Sequence, residues 1–238
     1  MRIAFSALND IYVHTIGGMV EKVTDDPHVD LDPVWSPDGN SLAYVSDCGG
    51  RMQLWIHDLI TGNPRLIDTK LKNNVSMPAW SPDGNKIAFF AKEEMNEWGS
   101  AILYTVNLNN NQTEKITGRL FVPGKPSWGA DSKKITAMAL KPASSRYREG
   151  INGFIIVSTD DKTSRFINFD TSANPGIRGQ NGPVWSPDGT MIAYISDGCL
   201  CIIPVDENGE ITGKSRQITK ELADNISWTG DSKAIVYM

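Results

Sequence analysis

Five residues, Trp-Ser-Pro-Asp-Gly, are written three times in this chain, at Trp35 to Gly39, Trp80 to Gly84 and Trp185 to Gly189. Two looser copies begin at Trp128 (WGADS) and Trp228 (WTGDS). The tryptophans of successive copies are 45, 48, 57 and 43 residues apart. That is the period at which each repeat is one four-stranded propeller blade. A blade cannot bury both of its faces alone and needs a similar neighbour on each side, so the motif recurs because the packing problem recurs. Trp35, Trp80, Trp128, Trp185 and Trp228 are therefore expected between neighbouring blades.

The residues after each Trp are turn chemistry. In Ser36-Pro37-Asp38-Gly39 the Pro fixes the φ that starts a turn, the Asp caps backbone N–H groups, and the Gly is free to take positive φ. The same roles fall to Asp83 with Gly84, to Asp188 with Gly189, and to Asp131 and Asp231 in the looser copies. An apolar second strand follows ("KIAFFA", "MIAYIS"), then a third ("QLWIHDL", "CLCIIPV") and a fourth ("PRLID", "RQIT"). Pro33, Pro78, Pro126 and Pro183 stand two residues before the Trp and are expected at strand starts, where a missing N–H does no harm; Ile226 is the exception.

No stretch carries apolar residues at helical spacing over three turns. The fold expected is all-β, a β-propeller of four-stranded antiparallel blades at about 1–26, 32–69, 77–118, 125–170 and 182–220, with a partial blade at 225–238. Both ends of the chain supply a second strand. The reading is thus one propeller of five to six blades, an incomplete six- or seven-bladed ring cut from a longer chain.

Composition narrows the partners. A net charge of -5 argues against nonspecific nucleic-acid binding, which needs a field of Lys and Arg. No apolar run is long enough to span a bilayer, so no membrane insertion is expected. The compartment stays open: periplasmic or secreted if a signal segment lies upstream, otherwise cytoplasmic. Cys48, Cys199 and Cys201 read as buried free thiols, since their odd number and the absence of a CxxC pair suit neither a disulfide framework nor zinc.

The "PxWSPDGxxIAY" pattern, with repeat ends such as "EKVT" and "RQIT", resembles the TolB-like propeller repeats, a WD-like family. Related blades occur in TolB, in prolyl oligopeptidase-type peptidases and beside amidohydrolase domains. Longer strings, among them "RIAFSALNDIYVHTIGG" and "LKPASSRYREGING", are similar to the N-terminal propeller of bacterial proteins in which such a propeller precedes a metal-dependent amidohydrolase domain. The resemblance implies a parent that hydrolyses a carbon-nitrogen bond with metal-bound water, zinc or another divalent ion being held beyond Met238. This chain would be its non-catalytic scaffold, docking on its own catalytic domain or restricting substrate access to it. The alternatives are a stand-alone module that binds a protein partner, and the propeller of a peptidase.

The chain's own residues offer no catalytic set. Only His14, His28 and His57 are present, no two of them close in sequence, so no catalytic and no metal-binding residue is assigned and no cofactor is expected in this chain. There is no G-x-S-x-G elbow. "GEITGKS" has one residue too few between its glycines for a phosphate loop. Candidates for an interface lie on the loops between second and third strands and between repeats: His28, Asp30 and Asp32 in an acidic, solvated segment, Trp98 in a charged loop, and Arg51, Arg146, Tyr147, Arg148 and Arg178 on the same rim.

Overall fold

The computed structural model describes residues 1–92, 99–121, 123–142, 150–168 and 181–238. Among them every regular element is a strand and no helix occurs. The fold class is all-β, of propeller type, built from antiparallel strands. The chain divides into two compact units, Met1–Glu97 with Leu103–Lys115, and Trp98–Ile102 with Ile116–Met238.

The first unit opens with a three-stranded sheet, β1 (Arg2–Ala7), β2 (Asp10–Thr15) and β3 (Val20–Lys22). A four-stranded sheet follows in chain order: β4 (Asp30–Trp35), β5 (Ser41–Ser46), β6 (Gln53–Asp58) and β7 (Pro64–Ile67). Then come β8 (Val75–Trp80), paired antiparallel to β9 (Lys86–Ala91), and the unit's parts of β10 (Ser100–Asn107) and β11 (Thr113–Phe121). The second unit holds the rest of those two strands. In it β13 (Lys134–Pro142) is central, pairing with β12 (Ser127–Trp128) and β14 (Gly150–Ser158), and β15 (Ser164–Asn168) lies beyond β14. A second four-stranded sheet runs β16 (Val184–Trp185), β17 (Met191–Ser196), β18 (Cys199–Pro204) and β19 (Arg216–Gln217). The hairpin β20 (Ser227–Trp228) with β21 (Ile235–Val236) ends the chain.

The second strand carries the core in the repeats of the three clean motif copies. In β5, β9 and β17 every residue after the first is buried, on both faces, which accounts for near-continuous apolar runs where a half-buried strand would alternate. Ile11 and Val13 of β2 pack on Leu42 and Tyr44 of β5, with Trp35 against the cluster. In the second unit, Met138, Phe154 and Ile156 meet Trp185, Ile192 and Tyr194, and Phe154 stands edge-on to Tyr194 with ring centroids 5.1 Å apart. Trp228 packs against a further cluster of Ala193, Ile195, Leu200 and Ile226. A tryptophan of one repeat thus closes on the sheet of the repeat before it.

Two expectations need correction. Pro33 and Pro78 do not start strands: β4 begins at Asp30 and β8 at Val75, and each Pro sits at a register shift, between Leu31 and Val34 and between Ser76 and Ala79. The bulge takes the residue out of the ladder, so no N–H is required of it. The thiols are not uniformly buried either. Cys201 is buried on β18, Cys199 is half-buried, and Cys48 is exposed in the loop after β5 because that strand ends at Ser46.

Candidate functional site

The repeated motif folds into a closed set of hydrogen bonds. Ser36 Oγ donates to Asp38 Oδ1 at 2.6 Å, Asp38 Oδ1 also accepts from Asn40 N at 3.0 Å, and Ser41 N donates back to Ser36 Oγ at 2.9 Å. Ser81 with Asp83, and Ser186 with Asp188, repeat this bonding; Thr229 serves Asp231 in the last copy. Gly39, Gly84 and Gly189 all take positive φ, 70°, 73° and 76°, which any side chain would strain. The donors hold the carboxyls below their ordinary range. At Asp188 the Ser186 hydroxyl is the main cause, followed by the Thr190 N–H.

The copy at Trp128 differs at three residues, and one of them changes the bonding of the Asp. Gly129 replaces the Ser, so Asp131 has no motif hydroxyl to accept from and takes Lys134 instead, Nζ to Oδ2 at 2.6 Å. Burial pushes the Asp131 carboxyl up, but the bonds from Lys134 and from the Lys133 N–H outweigh it and leave it lowered.

Beside that turn a recess of about 260 Å³ opens in the second unit. Its walls include Asp131 and Lys134, Trp185, Asp188 and Gly189 from the next repeat, and Asp206 and Glu207 from the hairpin after β18. The turns are in close contact, since a Cβ on Gly189 would lie 3.1 Å from the Ala130 Cβ. Arg165 of β15 holds the hairpin, donating from Nη2 to Gly209 O at 2.7 Å and pairing with Glu210. Trp185 is 5% exposed and its Nε1–H has no partner among the described residues. In other copies that donor is used: Trp80 Nε1 donates to Gly84 O at 3.2 Å and Trp228 Nε1 to Val184 O at 3.0 Å.

The first unit shows the corresponding place filled. Arg2 stands at the repeat position of Lys134, one repeat ahead of Trp35 as Lys134 is ahead of Trp185. Its guanidinium lies 4.5 Å over the Trp35 ring and donates to Gly39 O at 2.6 Å.

The expected interface residues are placed separately. His28 Nδ1 is 3.4 Å from Asp47 Oδ1, which also accepts from Val29 N. Asp25 and Asp26 are exposed, as a solvated segment requires, but Asp30 is not: it begins β4 and is 1% exposed, with neither carboxylate oxygen partnered among the described residues. The cause is the pairing of Asp30 with Ser46 of β5, which draws the end of the acidic segment into the sheet. Asp32 is half-buried, its Oδ2 accepting from Met77 N, and Arg51 donates to Leu71 O at 2.7 Å. Trp98, Arg146, Tyr147, Arg148 and Arg178 lie outside the described residues. Among the described residues no three His, Cys, Asp or Glu side chains are grouped to hold a metal ion, and no helix is long and apolar enough to cross a membrane.

The sequence reading passed over Arg2, Lys134, Asp206 and Glu207. The signal for the first two was present in the repeat alignment, where a basic residue recurs at one position and Gly129 interrupts the motif.

Residues 17–238 match the PD40 family model, the TolB beta propeller domain. A TolB homologue of Chlorobium luteolum is 42% identical over 64 residues, a stretch that is 26% of this chain and 15% of that protein. The crystal structure of TolB from Acinetobacter baumannii superposes with a TM-score of 0.68 at 22% identity, over 95% of this chain and 53% of that one. An oligogalacturonate lyase in complex with manganese gives 0.66 at 17% identity, over 95% of this chain and 63% of that one. At such identities the structures share the fold alone. The chain spans about half the length of the Acinetobacter protein it matches.

Proposed function

Because the chain belongs to the TolB β-propeller family, we propose that it is a non-catalytic docking scaffold, the propeller segment of a multidomain metal-dependent hydrolase of carbon-nitrogen bonds. One observation carries the non-catalytic part of this reading. The polar side chains that recur through the molecule are bound within their own turns: Ser36, Ser81 and Ser186 each donate to the Asp two residues on. A carboxylate held ionised by such donors is a poor proton donor or acceptor near neutral pH. Support for the hydrolase parent is the likeness of the longer strings to propellers that precede amidohydrolase domains. The family itself leaves function open, since one propeller fold serves unrelated activities.

The test has two arms. The purified chain, given zinc and a panel of cyclic amides and dipeptides, is expected to show no turnover. Hydrolysis abolished by a chelator would overturn the non-catalytic assignment. The reading frame beyond the codon for Met238 is expected to encode paired metal-ligating histidines. A completed last blade followed by a stop would select a stand-alone protein-binding module instead.

A further inference from the structure

We infer that the recess beside Trp185 receives an arginine side chain from a partner protein. This deepens the docking reading and rests on it. The first argument is charge. Asp131 and Lys134 neutralise each other, while Asp188, Asp206 and Glu207 leave the recess anionic. Asp188 and Asp206 use Oδ1 for their own turns, accepting from Thr190 N and from Asn208 N and Glu210 N, and each keeps an Oδ2 that makes no turn hydrogen bond. Two such oxygens beside an indole suit a planar, multi-donor cation better than a compact ammonium.

The second argument is the molecule's own use of the same position. At Trp35 a guanidinium lies on the indole and bonds the carbonyl of the motif Gly. At Trp185 the corresponding cation, Lys134, is drawn away by Asp131, since Gly129 supplies no hydroxyl to occupy that carboxylate. The place that Arg2 fills in one repeat is thereby left open in another. The third argument is the indole donor. Trp185 Nε1–H is buried with no acceptor among the described residues, and its indole lines the recess, so an occupant sits against a ring whose own donor is unpartnered. The Arg165 bonds to Gly209 and Glu210 hold the hairpin bearing Asp206 and Glu207 in place, so the site is formed before a ligand arrives.

The probe is the blocked tripeptide acetyl-Gly-Arg-Gly-amide, titrated into the chain while the Trp185 indole N–H resonance is followed by NMR, with Trp185→Phe used to identify the signal. A saturable shift of that resonance is expected. The tripeptide with citrulline in place of arginine should give none, and the double variant Asp206→Asn with Glu207→Gln should bind about tenfold more weakly at an unchanged melting temperature. No shift, equal binding of the citrulline peptide, or undiminished binding by the double variant would each overturn the inference. Free arginine binding as tightly as the tripeptide would also overturn it, in favour of a small guanidinium solute. These outcomes are independent of the turnover assay and the downstream reading frame, so failure of the recess is distinguishable from failure of the docking scaffold.

Discussion

Asp32 Oδ2 accepts a hydrogen bond from the backbone N–H of Met77 at 3.0 Å. The two residues hold the same place in successive repeats, each before the motif Pro, and both take positive φ, 57° and 53°. The bulge that removes them from the strand ladder leaves the Met77 N–H in need of an acceptor, and the Asp of the preceding repeat supplies it. The second unit makes a similar link, with Asn181 Oδ1 accepting from Asn225 N at 3.1 Å. Asp32→Ala is expected to lower unfolding stability by about 1–2 kcal/mol, and Asp32→Asn, which keeps the acceptor, by much less. Urea denaturation of the three proteins decides this; equal midpoints for all would show that the link carries no stability.

Ser186 is 1% exposed and works on both sides of its turn, donating to Asp188 and accepting from Met191 N. Ser186→Ala should cost about 1–2 kcal/mol. It should also change the acid limb. A carboxyl lowered from its ordinary 3.8 contributes stability that is fully present above that value and is lost as pH falls through the folded-state value. Removing the hydroxyl, the main cause of the lowering, moves the Asp188 titration up toward 3.8 and flattens stability against pH below it. Melting temperatures measured from pH 5 downward check this; an acid limb parallel to that of the parent would refute it.

What could be read from residue order was what is local in residue order. Ser36, Asp38 and Asn40 are near neighbours in the chain, so their bonding follows from the motif alone. The place of Asp30 could not be read that way. Asp25, Asp26, Asp30 and Asp32 look alike in sequence, and only pairing with Ser46, sixteen positions on from Asp30, puts that one inside the sheet. The bulges at Pro33 and Pro78 were hidden for a similar reason: Pro fits a strand start and a bulge equally well, and register with the neighbouring strand decides between them. The recess at Trp185 needed both kinds of knowledge, a local substitution at Gly129 and a hairpin brought up from Asp206 and Glu207.

His57 on β6 has its Nδ1 buried without a partner among the described residues, and its pKa is lowered from the ordinary 6.5, chiefly by burial, against the opposing pull of Asp58 and Asp30. The unfolded chain therefore takes up a proton before the folded one does. Its contribution to stability is fully present above pH 6.5 and declines as pH falls from there to the folded-state value. Replacing His57 with Gln should flatten the melting temperature between pH 7 and pH 5, a window above the carboxyl titrations. An unchanged slope in that window would assign the effect elsewhere.

Asp30 offers the sharpest test of how this core tolerates charge. Its carboxylate is 1% exposed and neither oxygen has a partner among the described residues, while its charge acts on two neighbours. The Tyr44 phenol is pushed up, mainly by burial and next by Asp30, and His57 is pulled up against its own burial. A buried ion without donors is destabilising, and the neutral amide of nearly the same shape removes that penalty. Asp30→Asn is therefore expected to raise unfolding stability by about 1–3 kcal/mol. The Tyr44 titration should move down, since one of the charges opposing its ionisation is gone. Denaturant midpoints together with the ultraviolet titration of Tyr44 make the two readings independent. A variant less stable than the parent, with Tyr44 unmoved, would mean that Asp30 is held by donors and is a structural part of the sheet.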